Sequence, residues 1–166
     1  MRRHRSLVLA AALASGLVAP ARAECDATKP VEPTASRFDL HGDTAYDRRT
    51  NLTWMRCSYG QAWTASGGCS GAATLVDWEG AMALPPPGSA AWRVPQKEEL
   101  ESIVATNCKR PAIDQAVFPE TPSVQYWTST ASSPSHAWVV FFRTGMSTWT
   151  YPRTAQFAVR MVKTGR

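Results

Sequence analysis

The sequence predicts an α+β fold: short strands, then two helices, then a run of strands. Three observations point to it. Between Arg37 and Met55, brief β-forming segments alternate with turn residues at meander spacing. Helix-start patterns follow at Thr74 and after Pro95. Beyond Val124 the chain is rich in Val, Thr, Trp, Tyr and Phe, which suit a pleated, half-buried surface.

Glu24 to Ser36 is polar and carries Pro30 and Pro33, which predicts an extended leader pinned by Cys25 and a domain over residues 37–166. Arg37-Phe38-Asp39-Leu40 reads as a strand, His41 to Thr44 as a turn, and Ala45-Tyr46-Asp47 as a second strand. Arg48 to Asn51 turns the chain into a third, Leu52-Thr53-Trp54-Met55. Thr74-Leu75-Val76-Asp77 has the spacing of an N-cap with an acid three residues on. Leu75, Trp78 and Met82 then share one helical face. Gly80 weakens this helix, and Pro85-Pro86-Pro87-Gly88 ends it. In the second helix Glu98 and Glu99 suit the positive end of the dipole, and Leu100, Ile103 and Val104 form the buried stripe. Val124 to Thr130 and Ala137 to Phe142 read as strands, with Gly145 marking a hairpin. Ser147 to Tyr151 alternates small and large, as a half-buried strand does. In the last strand Phe157, Val159 and Met161 face one way, while Ala158, Arg160 and Val162 face the other.

The first 23 residues read as a secretion signal. Arg2, Arg3 and Arg5 precede an apolar run from Leu7 to Val18, shorter than the ~20 residues a membrane span needs. Ala21-Arg22-Ala23 supplies small residues at signal-peptidase spacing, which places cleavage between Ala23 and Glu24. Glu24 stands before Cys25 where lipid attachment would need a small residue. The expected location is periplasmic or secreted, in a bacterium, with no span left after cleavage. The signal removes four of the 18 Lys and Arg and none of the 13 Asp and Glu. The mature chain then carries 14 bases against 13 acids, net +1, which excludes a bulk nucleic-acid binder. The charge is uneven, however: the last acid is Glu120, and Arg143, Arg153, Arg160, Lys163 and Arg166 all follow it.

Cys25, Cys57, Cys69 and Cys108 lie in the exported part, where an even count reads as two disulfides. Three connectivities are open. Cys57–Cys69 with Cys25–Cys108 is favoured, because the first closes a short Gly-, Ser- and Ala-rich loop with little core of its own. There is no C-x-x-C, no Cys/His cluster with zinc spacing, and His41 and His136 stand alone. Asp39, Asp43 and Asp47 recur every four residues, unlike a calcium loop, and Glu32-Pro33-Thr34 lies in the leader. No metal and no cofactor is expected. G-x-S-x-G, phosphate-loop and H-E-x-x-H patterns are all absent, so no enzyme activity is expected.

Six segments in order carry a resemblance: Leu52-Thr53-Trp54-Met55-Arg56-Cys57; Ala91-Trp92-Arg93-Val94-Pro95-Gln96-Lys97-Glu98-Glu99-Leu100; Phe118-Pro119; Tyr126-Trp127-Thr128-Ser129-Thr130; Ala137-Trp138-Val139-Val140-Phe141-Phe142; and Val159-Arg160-Met161-Val162. Together they resemble the Lcl C-terminal domain family, named for the end of a collagen-like bacterial adhesin. The resemblance implies a C-type lectin-like fold, two helices against a loop-rich antiparallel sheet. It supports the favoured disulfide pairing, because related chains often carry cysteines near these places. It also implies core packing for Trp54, Trp78, Trp92, Trp127 and Trp138. Gln96 stands where the family usually has a capping Thr or Ser, so this cap should be poorer by ~1 kcal/mol. Arg93 and Glu99 are read as an internal pair bracing the loop around Pro95, and Arg160, flanked by apolar residues, needs a partner if buried.

For function the resemblance implies a non-catalytic binding module. The namesake domain is associated with sulfated polysaccharides and trimerisation, so acidic glycans and homo-oligomers are the partners implied. This chain has no Gly-X-Y stalk to supply a trimer's avidity. The alternative is a structural or assembly role in the envelope. A third reading is an enzyme of the wider lectin-like clan, whose formylglycine-generating members need specialised cysteines. Arg143, Trp149, Tyr151 and Arg153 are the candidate ligand contacts, because aromatic faces beside arginines can stack on sugar rings and grip sulfate.

Overall fold

The structure is a computed structural model and describes residues 22–85, Gly88 and residues 91–166. The expected signal lies outside the described residues except for Arg22 and Ala23, as do Pro86 and Pro87 of the expected helix stop. Strand β1 (Glu24–Cys25) pairs antiparallel with β7 (Cys108–Lys109), and the Cys25–Cys108 disulfide clamps this short ribbon. The predicted meander is present as β2 (Phe38–His41), β3 (Thr44–Asp47) and β4 (Leu52–Met55). Asp47 shapes its second turn: the buried carboxylate accepts bonds from Arg37, the Thr50 hydroxyl and the Arg49 N–H. The Cys57–Cys69 disulfide closes a loop that holds only the ribbon of β5 (Ala62–Trp63) and β6 (Cys69–Ser70).

A second sheet has the order β10-β9-β8, from β8 (Gln125–Ala131), β9 (Ala137–Phe141) and β10 (Met146–Thr148). Gly145 turns the β9–β10 hairpin at φ +80°, a conformation open to glycine. Strand β11 (Val162–Thr164) extends the meander beside β4. Residues 157–162 join the two sheets. The Trp127 N–H donates to the Ala158 carbonyl at 2.9 Å, while the Met55 and Tyr59 N–H groups donate to Met161 and Val159 at 3.0 and 2.8 Å. One strand layer therefore runs from β2 through this segment to β10.

The predicted alternation along residues 157–162 holds, and both faces are buried. Ala158 and Val162 enter one core with Trp54, Leu100, Phe118, Tyr126 and Val140. Val159 and Met161 enter a second with Ala81, Val94, Trp127 and Val139. Neighbouring residues of β8 and β9, such as Tyr126 and Trp127 or Val139 and Val140, thus serve opposite cores, which is why β9 reads as a continuous apolar run.

The helices are short. Helix α1 (Trp78–Met82) starts later than the Thr74 pattern predicts, and its N-cap is Asp77, whose Oδ1 accepts the Gly80 N–H at 2.7 Å. The reason is long-range: the Val76 N–H and carbonyl are both paired with Phe157, at 3.0 and 2.9 Å. Leu75 therefore lies outside the helix and is exposed, Met82 is exposed too, and Ala81 is the buried residue. Helix α2 (Lys97–Glu101) buries Leu100, and Ile103 and Val104 follow into the core from the next turn. Its start is better satisfied than Gln96 alone predicts. The Lys97 N–H donates to the Thr130 hydroxyl at 3.0 Å, and the Gln96 N–H to the Glu99 carboxylate at 2.7 Å. The strand expected over Ser147 to Tyr151 ends at Thr148, and the last strand expected from Phe157 is regular only over Val162–Thr164. Among the described residues no helix is long and apolar enough to cross a membrane.

The molecule is thus α+β, two short helices against antiparallel sheets and long loops, stapled by the two favoured disulfides.

Candidate functional site

The seven tryptophans sort themselves by what covers their faces. Trp54 and Trp127 are fully buried. Four others are half-buried, and each carries a cation over its ring: Arg56 on Trp63 at 4.4 Å, Arg153 on Trp78 at 4.0 Å, Lys163 on Trp92 at 5.5 Å and Lys97 on Trp138 at 4.9 Å. A cation held this way both shields the ring and is itself held by the ring quadrupole. Trp149 is the exception: it is 53 % exposed, and no cation of the described residues stacks on it.

The four predicted ligand contacts separate accordingly. Arg153 is a strut. Its guanidinium lies on Trp78, donates to the Ser133 and His136 carbonyls at 2.9 and 3.4 Å, and meets Glu79 at 3.4 Å. Tyr151 turns inward, its ring edge-on to Phe157 at 5.0 Å and its hydroxyl accepting from Gln125 at 3.1 Å. Arg143 and Trp149 remain on the surface, but at opposite ends of β10, about 10 Å of strand apart.

The residues predicted to be structural are tightly engaged. Arg93 forms a two-pronged pair with Glu99, both bonds 2.7 Å, which raises the arginine's pKa. Burial alone would raise the Glu99 pKa, but the bonds from Arg93 and the Gln96 N–H outweigh it and hold the carboxyl below its ordinary range. The Pro95 carbonyl accepts from the Ser129 N–H at 2.8 Å, tying this loop to β8. Arg160 is fully buried, and no carboxylate of the described residues forms an ion pair with it. It donates to the Met55 carbonyl at 2.8 Å and the Thr121 hydroxyl at 2.7 Å, and lies 4.9 Å from the Phe118 ring centre. Burial pushes its pKa down, partly offset by Tyr126. Arg56, nearly as buried, also spends its donors on carbonyls, those of Gly42, Ala116 and Val117.

Sequence reasoning missed two neighbours of Arg143. The Arg110 N–H donates to the Arg143 carbonyl at 3.0 Å, so Lys109, Arg110 and Arg143 share one edge of the molecule, all three exposed. Glu24 lies 3.2 Å from Arg110 and 3.8 Å from Lys109. A cleft of about 500 Å³ opens beside them, lined by Thr106, Asn107, Lys109 and Thr144 together with the acids Glu24 and Asp26. The adjacent basic pair Lys109-Arg110 was the available signal; its nearness to Arg143 was not. Among the described residues no three His, Cys, Asp or Glu gather as metal ligands.

These features define a disulfide-stapled α+β domain whose charged core groups are engaged by its own fold. The chain belongs to the Lcl C-terminal domain family, which matches residues 43–163. Comparison with curated proteins gives no match. The family is named for an adhesin-like protein, and membership by itself assigns no ligand.

Proposed function

We propose that this chain is an exported, non-catalytic binding domain for acidic, sulfated glycans, which it meets through Lys109, Arg110 and Arg143. The carrying observation is the exposed edge where Lys109 and Arg110, both paired with Glu24, lie beside Arg143. Each sulfate along a glycan offers a pair of oxygens that an arginine fork engages with two bonds. One exposed pair contributes little, but several on one chain reinforce each other. Trp149 adds an uncovered face on which a sugar ring can stack. Two disulfides favour an oxidising compartment and hence export. The non-catalytic reading is supported by the buried charges Asp47, Arg56 and Arg160 and the part-buried pair Arg93 and Glu99, each of which is hydrogen-bonded within its own fold.

The test is retention of the oxidised mature protein on heparin across a salt gradient, with calcium and with chelator. Elution well above physiological salt, unchanged by calcium and lost in Arg110→Ala/Arg143→Ala, is the expected result. Flow-through at low salt refutes it.

A second reading, docking to an envelope protein, draws on β10. This edge strand presents Met146, 69 % exposed, and leads into Trp149. Such a contact would use strand addition and resist salt.

A further inference from the structure

We propose a second binding site of opposite preference: the cleft between residues 61–75 and 120–124 takes a small organic ammonium ion, its apolar body on Leu75, Pro122 and Val124 and its charged head at Glu120. The cleft has a volume of about 550 Å³, within the range of small-ligand sites. Its lining is mostly apolar, with Gly71, Ala72 and Ala73 opposite Pro122 and Val124. Leu75 is half exposed there, a side chain released from α1 by the Val76–Phe157 pairing.

Glu120 is the one charged residue in this lining. One carboxylate oxygen accepts the Cys69 N–H at 2.7 Å. No Lys or Arg of the described residues forms an ion pair with it, although Asp39, Asp47, Glu79, Glu99 and Glu101 each have one. Its backbone sits at φ +47°, a left-handed conformation that is unfavourable for a glutamate and persists only where the surroundings impose it.

They do impose it. Gln61 donates to the Glu120 carbonyl at 3.2 Å, and the buried Arg160 holds the Thr121 hydroxyl, which in turn bonds the Phe118 carbonyl at 2.8 Å. The facing wall is equally fixed. The Cys57–Cys69 disulfide closes it, and the Thr74 N–H donates to the Tyr59 carbonyl at 2.8 Å. A Cβ on Gly60 would lie 2.1 Å from the Thr74 hydroxyl, so only glycine allows these strands of loop to meet. Both walls are therefore rigid before any ligand arrives, which lowers the ordering cost of binding. A glutamine could also accept the Cys69 N–H, through its amide oxygen. The negative charge is what this geometry adds, and an ammonium group on an apolar stem satisfies charge and lining together.

The experiment is an NMR titration of the oxidised protein with hexylammonium, hexanol and hexanoate, following the Cys69, Gly71, Ala73 and Leu75 amides. Hexylammonium should shift them saturably, with hexanol about tenfold weaker and hexanoate weaker still. Glu120→Gln should bring hexylammonium down to the level of hexanol, and Leu75→Ser, at an exposed position, should weaken both. Heparin retention should be unchanged in either variant, which separates this site from the polyanion surface. Equal affinity for hexylammonium and hexanol, an unaltered Glu120→Gln titration, or no saturable shift overturns the proposal.

Discussion

Arg160→Ala should be among the most damaging single changes in this chain. The wild-type guanidinium supplies the Met55 and Arg56 carbonyls and the Thr121 hydroxyl with donors at a fully buried position. Removing it leaves those acceptors without that donor, at about 1–3 kcal/mol for each one orphaned. Against this, the desolvation that pushes the arginine's pKa down disappears with the charge. Two orphaned carbonyls at mid-range give a net loss of about 4 kcal/mol, comparable to breaking other buried charged networks. For a domain of this size that is a fall in Tm of about 10 °C. Urea unfolding of the oxidised protein, followed by tryptophan fluorescence, measures it. Arg160→Met keeps much of the volume but not the donors, so it should still lose about half as much. A loss below 1 kcal/mol in the alanine variant, or a methionine variant as stable as wild type, would refute the view that these bonds tie residues 55–56 to Thr121 and stabilise the fold.

Three further outcomes are expected. Burial alone would raise the Asp47 pKa, yet bonds from Arg37, Thr50 and the Arg49 N–H hold it below its ordinary 3.8, and Glu99 lies below 4.5. Their contribution to stability is therefore complete above about pH 5 and is lost as pH falls through the depressed folded values, and Asp47→Asn should flatten that acid limb in pH-dependent melting. Replacing Cys57 and Cys69 together by alanine should cost about 3 kcal/mol in urea unfolding, while thiol titration of the unreduced, denatured wild type should find no free cysteine. Thr130→Ala, which uncaps α2 from the neighbouring strand, should cost about 1 kcal/mol by the same unfolding assay.

The meander was legible because its signals are local: β-forming triplets separated by turns such as His41-Gly42 and Thr50-Asn51. The alternation over residues 157–162 was legible too, although not that both of its faces would be buried. The start of α1 was not, since the residue that forbids an earlier helix, Phe157, lies far along the chain from Val76. The candidate site was read least well, for the same reason. Arg153 looks free in sequence, but its partners Trp78, Ser133 and His136 are brought to it only by the fold. Arg143 gains Arg110 as a neighbour through one backbone bond that no local pattern announces. The strained backbone of Glu120 arises where Gln61, Cys69 and Arg160 converge on one loop, three contacts from three other parts of the chain.

Residues 157–162 come after nearly everything they hold together. A chain made from its N-terminus can form the meander early, but both cores wait for the segment that fills the gap between β4 and β8. Until it arrives, Trp54 lacks Val162 across the sheet and Trp127 lacks Ala158, so the earlier sheets present raw edges. Both cores therefore stay open until residues 157–162 dock between β4 and β8, and they close together when that segment arrives.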